Sequence, residues 1–138
     1  MEYRTTATSP HGLEEERQWA RILSTGSPAA GMALVFIQKL CTAFHELDPA
    51  WTKGFLDERS LAHFRDRLAG RTRRVLETLE SNGLGTIDGV AELRQLLRTI
   101  ESAETMGELA GLAEKIHAVN HTLCDSLEEA GREGVVPV

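Results

Sequence analysis

Apolar residues recur along the chain at three- and four-residue spacings, and no segment alternates apolar and polar positions as a half-buried strand would. Ser9-Pro10 opens the first predicted helix, with Ser as N-cap and Pro in the first turn, where its missing N–H is no loss. That helix carries Leu13, Trp19, Ile22 and Leu23 on its apolar side and is stopped by Gly26. Ser27-Pro28 repeats the start signal for a second helix, predicted to run to about Leu47 and to be closed by Asp48-Pro49. Its apolar residues, from Met32 through Phe44 to Leu47, cover most of the circumference, which predicts a central helix or one shared with another subunit. A short helical turn through Trp51 and Phe55, broken near Gly54, is expected to follow.

A long amphipathic helix is predicted from about Glu58 to Ser81, on the spacing of Leu61, Phe64, Leu68, Val75 and Leu79, with Asn82-Gly83 as its stop. Asp88 is expected to cap a shorter helix bearing Val90, Leu93, Leu97 and Ile100. Thr105-Met106-Gly107-Glu108 reads as a capping box opening the last helix. Its stripe is Leu109, Leu112, Ile116, Val119, Leu123, Leu127 and Ala130, and Gly131 is expected to end it. The prediction is an all-α, single-domain helical bundle of four main helices and one shorter, over residues 9–131. A flexible segment, 1–8, and a flexible tail, 132–138, flank it.

Composition narrows the partners. The 138 residues carry 15 Lys+Arg against 21 Asp+Glu, a formal charge of −6, which argues against nucleic acid and anionic lipid as partners. Hydrophobic content of 41% and charged content of 26% are globular values. Two cysteines make no disulfide framework and fit a reducing compartment. Met1–Pro10 lacks the apolar core of a signal peptide, and no apolar run is long enough to span a bilayer. The expectation is a cytoplasmic protein.

Chemistry concentrates in one constellation. His117, His121 and Cys124 fall within roughly 60° of one another on the last helix, and Glu128 continues that ridge. The second helix offers Cys41 and His45 one turn apart. Imidazole and thiolate suit transition metals and serve Mg²⁺ or Ca²⁺ poorly, so facing ridges would hold zinc, copper or iron, or haem iron axially. The plainer reading has the His residues at a boundary and both Cys filling space as small hydrophobes, because the ridge lies about 120° from the centre of the apolar stripe. No turn-borne C-x2-C, no H-E-x-x-H and no paired Glu-x-x-His is present. Phe44, Pro49 and Phe55 resemble the corner after a globin's second helix, and LAEKIHAVNH (112–121) resembles the stretch around its haem-binding His. Two long helices follow that His in a globin, none is patterned beyond the helix of His117, and no family is assigned.

Nucleophilic catalysis has little support: Cys41 with His45 has the right groups, but an apolar mid-helix position raises a thiol pKa. Arg67, Arg71 and Arg74 share a ridge and are a candidate anion site. The competing reading is a solvated face, with Arg73 pairing Glu77 at i,i+4. The reading that follows is a small, non-enzymatic interaction module (regulator, adaptor or accessory subunit), forming a homodimer or a hetero-complex. The alternative is a transition-metal- or haem-binding bundle using the Cys/His ridges.

Overall fold

The computed structural model describes residues 13–132, so the expected segment 1–8, the Ser9-Pro10 start signal and the expected tail beyond Arg132 lie outside the described residues. The helices are α1 (Leu13–Ser24), α2 (Pro28–Thr52), α3 (Leu61–Ser81), α4 (Val90–Ser102), the five-residue α5 (Met106–Ala110) and α6 (Ala113–Arg132). One 3-10 turn, Glu58–Ser60, leads into α3. No strand occurs among the described residues. The domain is all-α.

α2 is the central element, packed against α1, α3, α5 and α6, while α3 meets α4 and α6 meets α1 and α4. Ala33, Leu34, Ile37, Leu40, Phe44 and Leu47 of α2 are buried, as an all-round apolar helix requires. The cover is incomplete at its N-terminal half. Met32 and Val35 stay 54% and 44% exposed, and Leu23, expected on the buried side of α1, is 57% exposed.

Four local expectations need correction. α2 does not close at Asp48-Pro49 but runs on to Thr52. Pro49 withholds an amide from the carbonyl of His45, and the partly buried Trp51 packs against the core beyond it, so tertiary packing outweighs the local penalty. The helix ends instead at Gly54, whose φ of 81° places it in a C-terminal motif. There the Phe55 amide donates to Ala50 O at 2.9 Å and the Gly54 amide to Trp51 O at 3.0 Å.

Second, Asp88 does not cap α4. Gly89 occupies that position at φ 102°, because a Cβ there would lie 2.9 Å from the Leu123 side chain. The Asp88 carbonyl instead accepts from Ser126 Oγ at 3.1 Å, tying this corner to α6.

Third, the predicted last helix is two. Thr105 does cap it, accepting from the Glu108 amide at 3.0 Å, but the Glu108 carboxylate accepts from the Glu104 amide and not from Thr105. At Gly111 the chain tightens, with the Leu112 amide donating to Leu109 O, before α6 begins. Fourth, Gly131 is no stop, since α6 continues to Arg132. Its role is close approach: a Cβ would fall 2.5 Å from Thr25 Oγ1.

Candidate metal centre

The seam of α1, α2 and α6 gathers the chemistry. Cys41 and His45 sit one turn apart on α2, and α6 crosses so that His117 faces them. One ligand atom from each of the three lies within 4.8 Å of the other two. The imidazoles of His45 and His117 meet edge to face, centroids 6.1 Å apart and planes at 78°. Cys41 is buried, His45 half-buried and His117 exposed, so the group runs from the core to the surface.

α1 closes the third side. Glu15 places a carboxylate oxygen 3.4 Å from His117 Nε2. Gln18, itself buried, donates from Nε2 to Asp125 at 2.6 Å and to Glu128 at 3.3 Å, and Arg21 Nε donates to Glu128 at 2.7 Å. The Arg21 hydrogen bond, helped by Gln18 and Arg132, holds the Glu128 carboxyl below its ordinary range. These contacts fix α1 on α6 and so fix Glu15 beside His117.

Beside Cys41 and His117, but not reaching His45, lies a largely apolar cavity of about 20 Å³ lined also by Glu15, Gln18, Trp19, Ile37, Asn120, His121 and Cys124. Burial pushes the Cys41 thiol up to about 11, with the Asn120 side chain pulling it down and Glu15 adding to the rise. Burial likewise takes Cys124 to about 12, against Trp19 and with Cys41, Asp125 and Glu15. Burial therefore disfavours the thiolate at both positions.

All five Cys and His residues singled out from the sequence belong to this region. Only Cys41, His45 and His117 converge; His121 and Cys124 line the adjoining cavity. The residue the pattern missed is Asn120. It is 5% exposed, and although its side chain lies against Cys41, neither amide atom has a partner at hydrogen-bond geometry. A buried donor or acceptor left so costs about 1–3 kcal/mol. Its signal was legible: at the spacing Ile116, Asn120, Leu123, Leu127, it is a polar residue on the edge of the apolar stripe.

The arginine ridge is arranged differently. Arg71 donates to Lys39 O at 2.9 Å, Arg74 stands 5.0 Å over the Phe36 ring, and Arg67 borders a largely apolar cavity of about 210 Å³ that includes Glu46, Leu56 and Phe64. Each turns to a separate partner along the α2–α3 seam. Arg73 pairs with Glu101 of α4, not with Glu77. No helix among the described residues is long and apolar enough to cross a membrane.

No protein-family model, curated protein or solved structure matches the chain.

Proposed function

We propose that the protein is a transition-metal-binding helical bundle, with Cys41, His45 and His117 as ligands. The observation that carries this is the convergence of one thiol and two imidazoles, drawn from two helices, to within 4.8 Å. Around a tetrahedral ion with bonds of 2.0–2.3 Å, ligand atoms stand roughly 3.3–3.8 Å apart. Side-chain rotations at the three residues, the exposed His117 among them, would bring the ligand atoms to that spacing. Glu15 then serves as the carboxylate that orients a ligating imidazole. The donor set suits zinc, cobalt or copper(I). A bare ion is favoured over haem, because the cavity beside Cys41 and His117, about 20 Å³, is far below the roughly 300 Å³ at which small-molecule pockets begin.

Equilibrium dialysis of the purified chain against zinc, with elemental analysis, tests the assignment. One ion per chain is expected, with affinity falling at least 100-fold in Cys41→Ala and in His117→Ala and staying within threefold in His63→Ala. Retention of full affinity by the first two variants would refute it.

A second reading, a protein-interaction module, is favoured by the exposed Leu23, Met32 and Val35. Leu23 lies against Gly31, so these residues gather at the α1–α2 corner. Apolar side chains clustered in this way suit a homodimer or hetero-complex surface. Light scattering at high concentration tests self-association: the monomer mass throughout would remove the homodimer, and reversible dimerisation lost in Met32→Glu would support it. The two readings are compatible in one molecule.

A further inference from the structure

A second cavity, of about 210 Å³, opens between α2, α3 and the segment that joins them. None of its lining residues belongs to the Cys41, His45 and His117 group, so its chemistry is independent of the metal assignment. Six wall residues are apolar: Ala43, Leu47 and Ala50 of α2, Leu56 of the joining segment, and Phe64 and Leu68 of α3. Ala43, Leu47 and Leu68 are buried, and Ala50, Leu56 and Phe64 half-buried. The two remaining wall residues, Glu46 and Arg67, are exposed, which puts the charges on the solvent side of an apolar space.

Size limits the occupant. The volume exceeds the roughly 150 Å³ of an apolar cavity that takes up benzene. It falls short of the roughly 300 Å³ at which pockets for drug-sized ligands begin. One aromatic ring or a short branched chain fits. The Phe64 ring, met edge to face by His63 with centroids 5.1 Å apart, offers an aromatic side chain a contact beyond area burial.

Charge limits it further. Neither Glu46 nor Arg67 makes an ion pair among the described residues, with the other or with a third group. Arg71, one turn beyond Arg67, feels the charge of both, but its guanidinium is committed to the Lys39 carbonyl. A monocarboxylate in the cavity would bring its charge near Glu46, and an amine would bring its charge near Arg67. A ligand carrying both charges turns each repulsion into an attraction.

We propose that this cavity binds a free α-amino acid with an apolar side chain. The side chain fills the apolar space, the carboxylate accepts from the Arg67 guanidinium, and the ammonium donates to the Glu46 carboxylate.

The test follows the backbone amide signals of the full ¹⁵N-labelled chain during titration with L-phenylalanine, phenylpropionate and phenethylamine, which share the ring and differ in charge. Phenylalanine is expected to shift the amides around Leu47, Leu56 and Leu68. It should bind at least threefold more tightly than either singly charged analogue, a ratio within reach of partly exposed charge pairs. Arg67→Gln should weaken phenylalanine and phenylpropionate and leave phenethylamine no weaker. Glu46→Gln should weaken phenylalanine and phenethylamine and leave phenylpropionate no weaker. Both changes are at exposed positions, so folding is not at stake. Ala50→Trp, which fills the cavity, should abolish binding of all three. Undiminished binding in Ala50→Trp, or no shifts with phenylalanine up to its solubility limit, overturns the site. Either analogue binding as tightly as phenylalanine overturns the amino-acid assignment.

Discussion

Between α3 and α4 the buried side chains include Val75, Leu76, Leu79, Leu93, Leu96 and Ile100. The polar groups of these helices pair at the exposed edge, Arg73 with Glu101 and Arg94 with Glu80. Between α2 and α6, under α1, the buried set includes Cys41, Cys124, Gln18 and Asn120 alongside Ile37, with three imidazoles at the rim. The first seam follows the ordinary economy of a core, apolar within and charged without. The second keeps polar groups in its interior, Asn120 among them without a partner at hydrogen-bond geometry, and the metal site proposed above would account for that arrangement.

The largest expected effect comes from damaging the apolar seam. Leu93→Ala removes a fully buried side chain and should cost about 2–5 kcal/mol in urea unfolding. A loss below about 1 kcal/mol would mean that this seam is not close-packed. The same substitution should leave metal affinity unchanged, which separates the two regions.

Asn120→Leu reverses the sign. Removing two unpartnered buried polar atoms should stabilise the metal-free protein by about 1–3 kcal/mol, read in the same unfolding assay. Destabilisation would show that the amide is satisfied in solution and that the polar seam carries no such penalty.

A third, more gradual difference appears with pH. Cys41 and Cys124 are raised to about 11 and about 12 by burial, above the roughly 8.5 of an unfolded thiol. Below that unfolded value both states hold their protons and the contribution to stability is complete. Above it the unfolded chain ionises first, so stability drains away as pH rises towards the folded values. The thermal midpoint of the metal-free protein should therefore fall from about pH 9 upward. The fall should be shallower in Cys124→Ala, compared with its own midpoint at pH 7, and an unchanged slope would count against burial as the cause.

The smallest effect belongs to the exposed ion pairs. Arg94→Ala removes the 2.7 Å contact with Glu80, both groups being largely exposed. It should change stability by less than about 1 kcal/mol, and less still in high salt.

Much of this division was legible in the sequence. The stripe Leu109, Leu112, Ile116, Leu123 and Leu127 is buried as its spacing predicts, and the Asn82-Gly83 stop closes α3 with the Leu84 amide on Leu79 O at 2.8 Å. Periodicity reports which side of a helix is apolar, so such features survive. Non-local facts do not. Pro49 reads as a terminator until Trp51 is seen to pack beyond it, and Gly89 and Gly131 read as ordinary punctuation until Leu123 and Thr25 are seen against them. The candidate site divides in the same way. The i,i+4 spacing marked Cys41 with His45 and His117 with His121, but only the crossing of α2 and α6 selects His117 as the residue that faces the α2 pair. Asn120 sits beside Val119 on the edge of the stripe, and its contact with Cys41 across the α2–α6 seam is one that no one-dimensional pattern contains.

The central claim is that the polar seam exists to hold a metal ion between α2 and α6. X-ray absorption at the zinc edge of the zinc-loaded chain tests it most directly. The expected first shell has one sulfur at about 2.3 Å and two imidazole nitrogens at about 2.0–2.1 Å. One further light atom completes it, and the sulfur contribution disappears in Cys41→Ala. A shell of nitrogen and oxygen alone in the wild-type protein would contradict the claim.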